Sequence, residues 1–168
     1  MIKLPTLYIF GGLPASGKST LARHLARVIG AAYIRVDSIE EAILSSNVLV
    51  GPEGYEAGYS LAGDNLDNGL SVVVDSVNPI EITRSAWRKI AIDRKIKYRE
   101  IEIICSNKIE HRKRLQDRTS QTSSVRRLIW EDMENREYEP WESSFVFDTS
   151  GELPEISMKR FENSFIKS

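Results

Sequence analysis

One cysteine, Cys105, is all that the 168-residue chain carries, so no internal disulfide can form. It ends an apolar run, where a buried structural thiol is expected. Long hydrophobic runs are missing too. No apolar stretch approaches the roughly 20 residues of a membrane span, and Met1-Ile2-Lys3-Leu4-Pro5 does not read as a signal peptide. The expectation is a soluble, cytoplasmic protein with no membrane partner. Charge of one sign is also lacking: 23 Lys and Arg stand against 24 Asp and Glu, a net charge of −1. That balance excludes a global basic field for nucleic acid, but not a local basic groove. There is no internal repeat and no long low-complexity linker. What remains, 41% hydrophobic and 28% charged residues, suits one ordinary domain spanning 1–168.

Against this plain background one stretch carries chemistry: Gly12-Leu13-Pro14-Ala15-Ser16-Gly17-Lys18-Ser19, with Thr20 behind it. It fits G-x-x-x-x-G-K-[ST], the phosphate-binding loop of nucleotide-binding proteins. Its context fits as well. Leu7-Tyr8-Ile9-Phe10 before it reads as a buried strand, and the apolar positions 21, 22, 25, 26, 28 and 29 after it recur at helical spacing. Gly12 and Gly17 allow backbone angles that a Cβ would forbid. The loop's N–H groups can then surround phosphate oxygens, with the positive helix end behind them. Lys18 supplies a mobile charge for the β- and γ-phosphates of a nucleotide, and Ser19 a hydroxyl for Mg²⁺.

Taken in order, strand 1 is expected at Thr6 to Gly11, helix 1 at Gly17 to Ile29 and strand 2 at Ala32 to Val36. Asp37 or Ser38 would cap a helix from Ile39. A helix follows over Tyr55 to Asn68, then a strand at Ser71 to Ser76. Pro79 opens a helix to about Arg94, with Ile82, Ala86, Ile90 and Ile92 inward. Tyr98 to Cys105 reads as strand 4 and Asn107 to Arg118 as a polar helix. Thr119 to Ser124 reads as a loop, Val125 to Glu137 as a helix, and Phe145 to Asp148 as a last strand before a weak final helix. Alternating strands and helices with near-continuous apolar strands argue an α/β fold, a parallel sheet covered on both faces. Active residues should gather at the carboxyl ends of its strands.

Three sets of polar residues stand out there. Asp75 follows Val72-Val73-Val74, the position of a carboxylate that reaches Mg²⁺ directly or through water. Asp37, at the end of strand 2, is placed to orient an acceptor hydroxyl and take its proton, or simply to cap the next helix. Arg112, Arg114, Arg118, Arg126 and Arg127 flank the Thr119 to Ser124 loop; Arg118 and Arg126 border it and are the first candidates to close over a transferred phosphoryl group. A solvated charged helix is the plain alternative. Tyr55 and Tyr59 are candidates for an acceptor pocket, while Trp87, Trp130 and Trp141 read as core. Asn107-Lys108-Ile109-Glu110 and Asp148-Thr149-Ser150-Gly151 imitate guanine-site motifs. They occur in the wrong order for a GTPase, and Ser106 or Asn107 reads instead as a helix cap.

Together, Gly12 to Thr20, Val36-Asp37-Ser38, Val73-Val74-Asp75-Ser76-Val77-Asn78-Pro79, His111-Arg112-Lys113-Arg114 with Arg118, and Trp130-Glu131-Asp132 with Arg136 to Trp141 resemble the small P-loop kinases of the zeta-toxin, polynucleotide kinase and chloramphenicol phosphotransferase type. The resemblance runs from about Leu7 to Asp148. It implies a three-layer P-loop NTPase fold, five parallel strands in the order 2-3-1-4-5, and a helical lid at about 112–127. It implies ATP, Mg²⁺ and transfer to a hydroxyl, with Asp37 as the acceptor-side base and Arg118 and Arg126 in phosphate roles.

The leading expectation is therefore an ATP-dependent kinase for a small-molecule hydroxyl. A polynucleotide 5′-hydroxyl kinase is the second; it would need a basic channel, to which Arg35, Arg84 and Arg88 could contribute. The third is a slow NTP-hydrolysing regulatory module acting through a partner.

Overall fold

The computed structural model describes residues 4–121, 130–142 and 144–166. Its five strands are β1 (Thr6–Gly11), β2 (Ala32–Arg35), β3 (Val72–Asp75), β4 (Lys97–Ile104) and β5 (Phe145–Asp148). They lie in the order β2-β3-β1-β4-β5, and every pairing is parallel. The helices are α1 (Lys18–Ile29), α2 (Val36–Ser45), α3 (Glu53–Asp67), α4 (Glu81–Asp93), α5 (Lys108–Gln121), α6 (Trp130–Glu134) and α7 (Pro154–Phe161), the last continued by a π-helical turn, Glu162–Ile166.

The strands are apolar because both faces of the sheet are covered. Successive side chains alternate between two cores. Phe10, Val73, Ile101 and Ile103 pack with Leu21 and Leu25 of α1 and with Phe161 and Phe165 of the C-terminal segment. Leu7, Ile9, Val72 and Val74 pack on the other face with Val36 of α2, Leu66 of α3 and Trp87 and Ala91 of α4. The result is three layers with β1 at the centre. That puts the β1–α1 loop between the carboxyl ends of β3 and β4, where a doubly wound sheet opens its crevice.

Three local expectations are corrected. Helix α2 starts at Val36, directly after β2, so Asp37 lies in its first turn and not at a strand end; Arg35 holds the cap position, with no side-chain cap bond from Asp37 or Ser38. Burial of Val36 in the core fixes that early start. In α4 the inward stripe is Arg84, Trp87 and Ala91, while Ile82 and Ile92 are exposed. The bulky indole and the guanidinium, both with hydrogen-bond partners inside, set the phase of the helix in place of the isoleucines. Helix α5 continues through Thr119 to Gln121, where a loop was expected, and the rest of that loop lies outside the described residues. Asn107 does cap α5: its Oδ1 accepts the N–H of Ile109 and of Glu110, each at 3.1 Å.

Candidate active site

The loop between β1 and α1 is built to hold something. Gly12 has φ +140° and a Cβ there would lie 2.2 Å from the carbonyl oxygen of Ile103. Gly17 has φ +93°, and Ala15 is held in the left-handed region at φ 64° despite its side chain. The loop is pinned from outside. His111 Nε2 donates to the carbonyl of Pro14 at 2.7 Å, and the Thr149 hydroxyl donates to that of Ser16 at 2.7 Å. Arg114 holds Thr149 in turn, with Nη1 at 2.8 Å from its hydroxyl oxygen. Inside, the Ser16 hydroxyl is buried with no hydrogen-bond partner among the described residues. A buried polar atom of this kind is costly unless an incoming group satisfies it. A phosphate oxygen fits that need.

Behind the loop lies a buried charged cluster. Lys18 Nζ donates to Asp75 Oδ1 at 2.7 Å, and Tyr33 Oη donates to Asp75 Oδ2 at 2.6 Å. The Ser19 hydroxyl also favours the charged form of this carboxylate. Burial pushes the proton affinity of Asp75 upward, but the Lys18 charge and these hydrogen bonds outweigh it and hold the carboxyl below the usual range. Burial, and next the Asp75 charge, push the Tyr33 phenol upward. Ser19 and Asp75 can together offer Mg²⁺ a hydroxyl and a carboxylate, the small protein share that this ion takes beside substrate phosphates.

The cluster extends outward to Asp37. Register places Arg35 opposite Asp75 across the β2–β3 ladder, so both side chains stand on one face. Arg35 Nη2 donates to Asp37 Oδ2 at 3.2 Å, and Arg35 Nε lies 3.9 Å from Asp75 Oδ2. Arg118 Nη2, from the last turn of α5, lies 3.6 Å from the same Asp37 oxygen. Of the arginines singled out in the sequence, Arg118 therefore joins the site. Arg114 is committed to Glu110 and Thr149, and Arg112 stands 3.7 Å from Glu131. Arg126 and Arg127 lie outside the described residues.

The neighbourhood corrects other candidates. Tyr59 packs edge-on against Trp87, centroids 4.4 Å apart, and belongs to the core. Tyr55 accepts the N–H of Asn78 at 3.3 Å, and Asp37 is one of the charges acting on its phenol, so it stays beside the site. Arg84 is no surface cation. It is 1% exposed and gives its donors to the carbonyls of Asn78, Pro79, Glu139 and Pro140. Arg88 is paired with Glu81 and Glu100. The imitation guanine motifs serve as joints: Asp148 accepts from Ser106 and Ser150, and Glu110 accepts the N–H of Gly151 at 2.7 Å. Tyr33, Arg35, His111 and Thr149 as supports of the site are additions. For the first two the signal lay in the alternation Tyr33-x-Arg35, two polar-tipped residues on one face of a strand that pairs beside Asp75.

Such a loop, at the carboxyl end of the central strand of a 2-3-1-4-5 parallel sheet, defines a P-loop NTPase fold. The chain belongs to the AAA domain family, which matches residues 7–140. It is 29% identical over 102 aligned positions to uncharacterized proteins of Mycobacterium bovis and Mycobacterium tuberculosis. That match takes in 52% of this chain and 20% of theirs, so the chain corresponds to a small part of these curated relatives. Among solved structures it is similar to the Mycobacterium tuberculosis APS kinase in complex with AMPPNP and APS, at 17% identity and TM-score 0.71 over 98% of both chains. It is similar also to a gluconokinase from Sinorhizobium meliloti, at 16% identity and TM-score 0.62 over 99% of both. A Chaetomium thermophilum protein in complex with ADP-AlF3 matches at 18% identity and TM-score 0.71, covering 96% of this chain and 97% of that one. At these identities the likeness is one of fold. Among the described residues no helix is long and apolar enough to cross a membrane.

Proposed function

We propose that this chain is a kinase that moves the γ-phosphoryl group of ATP to a hydroxyl of a small-molecule acceptor. The observation that carries the reading is a continuous line of contacts, Lys18–Asp75–Arg35–Asp37. It joins a phosphate cradle to a carboxylate that, in this reading, faces the acceptor. A slow hydrolase that works as a switch has no acceptor to activate and no need of Asp37 there.

In this reading the loop Gly12 to Thr20 holds the triphosphate, and Lys18 leaves Asp75 to follow the β- and γ-phosphates. Mg²⁺, held by Ser19 and Asp75, would neutralise charge on those phosphates. Asp37 accepts the proton of the acceptor hydroxyl as its oxygen bonds to the γ-phosphorus. The bond from that phosphorus to the bridging oxygen breaks, and its electron pair leaves on ADP. Arg118, and Arg126 by resemblance, close over the transferred group. The family resemblance and the kinases among the similar folds support this class of reaction. They name no acceptor. The burial of Arg84 and the pairing of Arg88 remove two of the three cations that a nucleic-acid channel would use. That favours the small-molecule reading over a polynucleotide 5′-hydroxyl.

The test is ATP turnover with Mg²⁺, alone and with pooled acceptors: metabolites, nucleosides, antibiotics and 5′-hydroxyl oligonucleotides. Lys18→Ala, checked for folding, is the blank. One pool giving a phosphorylated product that the blank does not make is the expected result. Tight ATP binding with only slow hydrolysis in every pool would move the assignment to a regulatory module.

A further inference from the structure

Arg35 keeps one donor in reserve. Its Nη2 is spent on Asp37 Oδ2, but its Nε is buried and bonds to no acceptor among the described residues. The nearest anionic oxygen, Asp75 Oδ2, stands 3.9 Å away and already takes the Tyr33 proton at 2.6 Å. A guanidinium serving only as a counter-ion would turn its fork onto a carboxylate, because paired N–H donors match paired oxygens. Here the fork instead spans two carboxylates from different elements, the first turn of α2 and the end of β3. One is the candidate base and the other the candidate metal acid. In the kinase reading the phosphoryl group passes between these two carboxylates.

We infer that Arg35 is a further catalytic residue, whose Nε–H donates to a non-bridging oxygen of the phosphoryl group while it passes from ADP to the acceptor. This rests on the kinase reading. In that step charge spreads onto the equatorial oxygens, and a fixed donor aimed at them acts in the transition state more than in the ground state. Arg35 comes from the end of β2, so its placement does not depend on closure of the α5 region. Its bond to Asp37 also gives the base a fixed orientation, so one side chain aligns the proton acceptor and the phosphoryl group. An oxygen anion here could come from a second source, an acidic group of the acceptor itself.

The experiment compares Arg35→Gln and Arg35→Lys with the wild type in binding Mg²⁺–AMPPNP, a ground-state mimic, and Mg²⁺–ADP with aluminium fluoride, a mimic of the group in flight. Arg35→Gln should keep AMPPNP affinity within about threefold and lose roughly 100-fold for the aluminium fluoride complex, the range for removing one preorganised donor. Arg35→Lys, with the charge but not the fork, should recover only part of it. Equal losses for both ligands would overturn the assignment in favour of a structural role. Unchanged aluminium fluoride affinity with a raised acceptor KM would overturn it in favour of an acceptor anchor. A wild type that binds neither nucleotide would overturn the kinase reading itself, which separates the two failures.

Discussion

Lys18 Nζ and Asp75 Oδ1 stand 2.7 Å apart, with their side chains 7% and 0% exposed. Each is the other's principal compensation for leaving water. Removing one partner strands the other, at a cost of about 3 kcal/mol or more. Lys18→Ala and Asp75→Ala should each lower stability by that order, and the double variant by much less than the sum. A urea-unfolding double-mutant cycle measures this. A coupling near zero would mean that the pair is not formed in solution. The same pairing makes Lys18→Ala a sound blank only after its unfolding midpoint is known.

How far this site can be read from the sequence follows from what each residue answers to. The phosphate loop and β1 are legible because local rules suffice there: glycines at fixed offsets, a buried strand before and an amphipathic helix after. Asp75 is legible for the same reason, as an acid ending three valines. Asp37 is legible as a candidate-site residue but not as to its element, because the start of α2 is decided by tertiary burial of Val36. Arg35 and Tyr33 become meaningful only through the register of β2 on β3, a pairing of residues about 40 positions apart that no local pattern encodes. Arg84 misleads outright. A guanidinium in a helix reads as solvated, yet this one is enclosed by four carbonyls, two of them supplied by a distant segment.

That enclosure makes Arg84 a test of stability and not of binding. Two of its carbonyl partners, Glu139 and Pro140, belong to the segment that leads to Trp141, and its guanidinium carbon lies 4.3 Å from the Trp141 ring centroid. Arg84→Met keeps volume but leaves those carbonyls without donors. A loss of about 3 kcal/mol is expected, from several unsatisfied groups at roughly 1 kcal/mol or more each. Urea unfolding measures it. A loss under about 0.5 kcal/mol, the range of ordinary surface substitutions, would show that the carbonyls find other partners.

Gly11 and Gly12 should answer differently to alanine. At Gly11 a Cβ would stand 2.1 Å from a carbon of the Trp141 ring, and at Gly12 it would stand 2.2 Å from a backbone oxygen of Ile103. The first obstacle is a side chain that can be trimmed. Gly11→Ala should therefore cost about 2 kcal/mol as an overpacking change, and much of that should return in the Gly11→Ala/Trp141→Leu double variant relative to Trp141→Leu alone. Gly12→Ala, obstructed by backbone and held at φ +140°, should be rescued by neither Trp141→Leu nor any other side-chain trimming. Thermal unfolding of the five variants reads both outcomes.

Asp148 gives the fold an acid-sensitive joint. Burial would raise its pKa, but hydrogen bonds from Ser106 and Ser150 hold the carboxyl at about 2 against an ordinary 3.8. A depressed folded-state value means that the unfolded chain binds the proton more readily. The contribution is therefore complete above the ordinary value and is lost as pH falls toward about 2. The group is only partly buried, so after screening the effect between about pH 5.5 and about pH 3 should be roughly 0.5 kcal/mol. Asp148→Asn should lose that part of the acid slope while other carboxylates keep theirs. Parallel slopes in the two proteins would place the acid sensitivity elsewhere.

Asp37 is where the kinase reading is most exposed. Two arginines hold its Oδ2, Arg35 from β2 at 3.2 Å and Arg118 from α5 at 3.6 Å. If it is the base, its task begins only when an acceptor hydroxyl arrives, so the nucleotide should not register its replacement. Asp37→Asn preserves shape and can still accept from Arg35 through its amide oxygen, but it cannot take a proton. Mg²⁺–AMPPNP affinity should stay within about threefold, while transfer to the acceptor falls by roughly 10²- to 10⁴-fold, the usual contribution of a positioned base. A plain helix-start residue would behave in the opposite way, with near-normal turnover and a loss of at most about 1 kcal/mol in stability from the helix dipole. Turnover and unfolding measured on the same preparation therefore distinguish a catalytic carboxylate from a residue that only opens α2.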